Sequence, residues 1–152
     1  MTGEAETLAL PGIAGNDQEG RVGFNPLFPV FLKLENLRVL LVGGGHVGLE
    51  KLQAMHDNAP GALISVVAKR IDGPLRAYAS GKPFIHLEER AFQPGDLDEK
   101  DIVFIAIDDP LESQRIRNLA KAGKLLVNVA DKPDQCDFYL GSIVQKGSLK
   151  LA

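Results

Sequence analysis

The sequence predicts an α/β protein with a doubly wound parallel sheet. Three observations lead there: continuous apolar runs of strand length, helical-period stretches between them, and a glycine cluster closing the first run. At 152 residues and 45% hydrophobic, the chain can bury one sizeable core.

Residues 1–24 mix Gly, Glu, Asp and Asn without period and read as a flexible leader, leaving 25–152 as the folded domain. Asn25 to Leu32 is apolar but carries Pro26 and Pro29, which restricts it to an edge strand or a packing strap. Val39-Leu40-Leu41-Val42 is apolar throughout, as a central strand covered on both faces must be. Gly48, Leu52, Met55 and Ala59 then recur at helical spacing, and the helix stops before Pro60-Gly61. Leu63 to Val67 reads as a second strand, Asp72 to Ser80 as a short helix closed by Gly81, and Phe84 to Leu87 as a third strand. Asp101 to Ile107 makes a fourth. Pro110 suits a first helical turn, Gly123 ends that helix, and Leu125 to Val129 is a fifth strand. Ser142 to Leu151 differs, reading as a C-terminal β-hairpin about Lys146-Gly147-Ser148. The last strand is still running at Ala152, so more chain or a partner subunit is expected beyond it.

The net charge of −3 and scattered Lys and Arg give no basic stripe, which argues against nucleic acid. No apolar run approaches the roughly 18 residues that a membrane span needs, and the acidic start does not resemble an export signal. A single cysteine, Cys136, excludes an internal disulfide and fits a cytoplasmic setting.

Gly43-x-Gly45-x-x-Gly48 has the spacing of a Rossmann-type dinucleotide turn, and each glycine has its own reason. Gly43 permits a sharp exit from the strand, Gly45 clears space for a pyrophosphate, and Gly48 lets the helix lie close. The unpaired amides at the helix start would then hold phosphate oxygens. A tight turn that binds nothing has the same spacing; the strand before it and the helix after it favour NAD binding. The acidic residue expected about 20 positions on is replaced by Ala68-Lys69-Arg70. Lys69 and Arg70 suit the adenosine ribose, a 2′-phosphate, or plain solvent. His46 opens the helix as a neighbour of the phosphates; His56, His86 and a buried, inert Cys136 carry no ligand spacing.

At the carboxyl ends of the strands stand Asp108, Asp109 and Asp131. A carboxylate there could exchange a proton with a bound ligand. Capping of the helix at Pro110 competes for at least one of the first two, and a turn before Pro133 competes for Asp131.

From Asn25 to Ala152 the chain resembles the amino-terminal module of siroheme synthase, the precorrin-2 dehydrogenase and sirohydrochlorin ferrochelatase family. The likeness rests on Asn25-Pro26-Leu27-Phe28-Pro29, on Leu34 to Val47, on Ile105-Ala106-Ile107-Asp108-Asp109, and on Val127-Asn128-Val129-Ala130-Asp131. Cys136-Asp137-Phe138 and Lys146 to Leu149 also match in place. The resemblance implies NAD-dependent oxidation of precorrin-2 to sirohydrochlorin, and in some members insertion of ferrous iron as a second substrate. It implies that Asp131 takes the proton, and that His46, Val47, Lys69 and Arg70 line the NAD site beside Gly43, Gly45 and Asp108. No bound metal is called for, and a homodimer is implied for the full-length protein. The chain departs from the family at Gly48, where alanine is usual, at Ile107, where threonine is common, and at Gly141-Ser142, where Pro-Ala is usual. It also lacks the family's serine- and glycine-rich loop, dimerisation region and helical tail. Those absences keep a second reading in play, a non-catalytic NAD(P)-binding regulatory module.

Overall fold

The computed structural model describes residues 23–141 and 143–151. The predicted leader lies outside the described residues except for Gly23 and Phe24, as do Ser142 and Ala152 of the predicted hairpin. The chain divides into two compact units, Met1–Phe31 and Leu32–Ala152.

In the first unit the expected edge strand is absent. Residues 24–31 have no strand. Two prolines fix φ and remove amide donors, and the Asn25 side chain takes the Leu27 amide at 3.0 Å, so local bonding replaces a ladder.

The second unit begins with a 3-10 turn, Leu34–Asn36. Strands β1 (Arg38–Val42), β2 (Leu63–Ala68), β3 (Ile85–Glu89), β4 (Ile102–Ile105) and β5 (Leu126–Val129) form one parallel sheet in the order β3-β2-β1-β4-β5. Helices α1 (His46–Asn58), α2 (Gly73–Ala79) and α3 (Pro110–Ala122) connect them. The direction of winding reverses at β1, so the crevice between the carboxyl ends of β1 and β4 is where such sheets bind ligands.

Alternate residues of β1 enter two different cores, which explains why its run is unbroken. Val39 and Leu41 pack with Leu52 and Met55 of α1 and Leu75 of α2, whereas Leu40 and Val42 pack with Ile116 and Ala120 of α3. Val39 to Val42 are each at most 3% exposed. Each face needs a helix to complete it, and α1 supplies one through the Gly48, Leu52, Met55 stripe.

Helix α3 ends at Gly123, as predicted, but glycine's conformational freedom is not what closes it. Gly123 is its C-cap with an ordinary φ of −82°, and the left-handed residue is Lys124 at φ 60°. The amides of Lys124 and Leu125 close back on the carbonyls of Lys121 and Ala120 at 3.0 Å each, a Schellman closure with lysine in the position glycine normally takes.

After β5 the chain turns back along the open side of that strand. Val127 N–H donates to Asp137 Oδ2 at 2.9 Å and Asp137 N–H to the Val127 carbonyl at 2.8 Å. Val129 N–H meets Cys136 Sγ at 3.1 Å, and the thiol lies 3.2 Å from the Val129 carbonyl. Cys136 is half-buried, where the sequence predicted a buried thiol. Strands β6 (Val144–Lys146) and β7 (Leu149–Leu151) form the antiparallel hairpin, with Gly147 at φ 59°. Lys150 ties it to the end of α1 through the Asn58 carbonyl at 3.3 Å.

Candidate functional site

The turn after β1 is locked between two neighbouring strand ends. Gly43 has φ 136°, its N–H donates to the Val67 carbonyl at 3.0 Å, and a β-carbon there would lie 2.1 Å from the Ala106 oxygen. Only glycine fits. Gly44, which the spacing leaves unassigned, is equally confined: a β-carbon would lie 2.2 Å from the Arg70 carbonyl, and its own carbonyl accepts the Asp72 amide at 2.9 Å. The loop after β2 thus packs directly on the glycine turn, a contact between segments far apart in sequence that no local pattern announces.

Gly45 is different in kind. Its φ of −94° suits any residue, and the nearest atom to a β-carbon would be Asp72 Oδ2, 3.8 Å away. The fold does not require glycine there; the open space in front of it does. Gly45 is also the N-cap of α1, with no side chain capping the helix. The first amides of α1 therefore face that space without an intrahelical partner, which is the arrangement that holds an anionic diphosphate. The residues present fit a dinucleotide.

This space opens into a cleft of about 390 Å³ whose walls come from the ends of β1, β2 and β4 and the first turns of α1 and α3. Of the residues proposed from sequence, Gly43, Gly45, His46, Val47, Lys69, Arg70 and Asp108 all line it. The His46 imidazole is 84% exposed, and its Nε2 lies 3.1 Å from Glu50 Oε1. Asp109 is the N-cap of α3, its Oδ1 accepting the amides of Leu111 and Glu112 at 3.0 and 3.1 Å, so of the Asp pair, both of which line the cleft, Asp109 is the capping residue. His86 is exposed and His56 stacks edge-on against Tyr78 at 5.9 Å.

Sequence reasoning missed Phe92, Glu112 and Ile116, which complete the far wall. Phe92 and Ile116 are apolar residues indistinguishable from core in a linear reading. Glu112 is held below the usual carboxylate range by the Arg115 guanidinium, with the Lys69 charge a smaller contribution from across the cleft.

Asp131 stands apart. It follows β5 at φ 59°, is exposed, and is not among the residues lining the cleft. Its loop is pinned by the Cys136 and Asp137 contacts, and the buried Asn128 adds another by donating Nδ2–H to the Phe138 carbonyl at 3.0 Å. A non-glycine residue held in the left-handed region is a common feature of functional sites.

Comparison with known proteins agrees with this geometry. Residues 30–142 match the model of a family described as "Putative NAD(P)-binding". The chain is 37% identical over 127 residues to a siroheme synthase of Pseudomonas entomophila and 36% identical over 124 residues to siroheme synthase 1 of Cronobacter sakazakii. Each alignment covers 82% of this chain but 26% of the relative, so the chain spans about a quarter of the length of these proteins. Among solved structures, SirC, a precorrin-2 dehydrogenase, shares the fold with a TM-score of 0.67 at 24% identity, covering 83% of this chain and 60% of that one. With its glycine turn, uncapped helix start and matching residues 30–142, the chain belongs to this NAD(P)-binding family.

Proposed function

We propose that the chain is the NAD-binding module of a precorrin-2 dehydrogenase, and that Asp131 is its general base. The observation that carries the first half is the open, uncapped start of α1 at Gly45, in a chain 37% identical over 127 residues to a siroheme synthase. Bound NAD supplies a hydride acceptor. The chain's own residues then have two tasks. The Gly45 to Val47 amides and the Lys69, Arg70 and Asp108 side chains hold the dinucleotide, and a carboxylate receives the proton that leaves the macrocycle with the hydride. Asp131 is suited to that role because it is exposed at the carboxyl edge of the sheet on a pinned loop, at the end of the Val127 to Asp131 stretch on which the sequence resemblance rests.

The test is anaerobic incubation with NAD and precorrin-2, following sirohydrochlorin absorbance. Asp131→Asn should abolish turnover while leaving NAD binding intact; an unchanged rate would remove Asp131 from the mechanism. NAD binding with no spectral response of the tetrapyrrole would instead support a regulatory module.

A further inference from the structure

Helix α3 has one end at the cleft and the other on the loop that carries Asp131. Its cap Asp109, with Glu112 and Ile116 of its first two turns, lines the cleft. Arg117 and Lys121, one turn apart on a shared face, reach the loop after β5 instead. Arg117 Nε donates to the Gln135 carbonyl at 3.0 Å, and Lys121 Nζ donates to Asp137 Oδ2 at 2.7 Å.

The Arg117 bond falls where it governs the loop. Gln135 ends the 3-10 turn Pro133–Gln135, and a carbonyl at the end of a helical turn has no partner within that turn. From there the chain is tied back towards Asp131 in two steps: Gln135 N–H donates to the Lys132 carbonyl at 2.9 Å, and Lys132 N–H to the Val129 carbonyl at 3.2 Å. Asp131 sits inside the second of these bonds at φ 59°, a conformation that a residue other than glycine keeps only when its surroundings hold it there. Among the described residues none bonds to the Asp131 carboxylate, so its direction follows from that backbone.

We propose that Arg117 is a positioning residue for Asp131. By closing the 3-10 turn with a rigid, always charged guanidinium it fixes the backbone that aims the carboxylate. It does so from the helix that also walls the cleft, so the base and the cofactor are referred to one rigid element. The proposal rests on the reading of Asp131 as general base and adds what holds that base in place.

Steady-state kinetics and amide hydrogen exchange on the 152-residue chain test it. Arg117→Ala should lower kcat between about tenfold and a hundredfold, because a base displaced by about 1 Å loses its line to the proton. The KM for NAD should move by less than about twofold, since the cleft is untouched. Exchange at residues 131–137 should quicken about tenfold or more, while that of residues 44–49 and of the sheet stays as in the wild type and reports that the variant folds. An unchanged kcat, an unchanged exchange rate at 131–137, or a loss shared between kcat and the KM for NAD would each overturn the proposal. Failure of the reading beneath it shows on chains that keep Arg117: a wild type without turnover, or Asp131→Asn at the wild-type rate.

Discussion

The carbonyl oxygen of Gly43 lies 2.6 Å from the point where a β-carbon on Gly48 would begin. Helix α1 therefore rests on the turn that precedes it, and the third glycine of the motif serves contact with the first more than contact with the sheet. Gly48→Ala gains about 1 kcal/mol of helix propensity but forces backbone apart, an overpacking cost of about 1–3 kcal/mol. The variant should be less stable by roughly 1 kcal/mol and melt a few degrees lower. A thermal melt decides it.

Gly45→Ala and Gly43→Ala should separate binding from folding. At Gly45 the backbone and the surrounding space both admit a methyl group, so the melting temperature should stay near that of the wild type while NAD affinity falls about tenfold or more. At Gly43 the positive φ and the 2.1 Å approach to Ala106 forbid it, and soluble folded protein should be lost. Calorimetry with NAD and a melting curve on each variant would distinguish the two.

Lys124→Gly should stabilise the protein by about 0.5–1 kcal/mol. The left-handed conformation costs lysine about 1–2 kcal/mol, and only part of that relief is lost to the greater freedom of glycine in the unfolded chain. Denaturant midpoints would show the gain, and a midpoint below that of the wild type would contradict it.

Acid should weaken the turn at Asp96. Its carboxyl is held below the usual range chiefly by the Arg90 guanidinium, 2.6 Å away, and further by the Gln93 amide. Because its pKa is lowered by folding, the stabilisation is fully present above the unfolded value of about 3.9 and disappears as pH falls through the folded one. Asp96→Asn should cost about 1–2 kcal/mol at pH 7, with the gap to wild type narrowing below about pH 4. Urea titrations at pH 7 and pH 3 measure both ends.

The parts of this molecule that could be read in advance are those whose cause is local. Val39 to Val42 announces a strand covered on both faces, and the 43, 45, 48 spacing announces the turn, because each depends on neighbours a few residues away. Gly44 against Arg70, and Phe92 and Ile116 in the cleft wall, depend on where β2, β3 and α3 come to rest, which no short window records. Of the two forms that residues 24–31 could take, the edge strand is the one not formed, because two prolines withhold its hydrogen bonds. Gly123 marked the helix end correctly, but the left-handed residue that closes it, Lys124, depends on its amide and that of Leu125 meeting the last carbonyls.

A sheet margin normally offers passing polypeptide a free row of peptide groups. Along β5 the outward amide and carbonyl of Val127 and of Val129 are already taken by Asp137 and Cys136, from the chain's own returning segment. Recruitment of a foreign strand at that margin would first have to peel this segment away, and with it the anchor of the loop that presents Asp131. The same few bonds that pin the loop after β5 also occupy the groups that a sixth strand on that side would need.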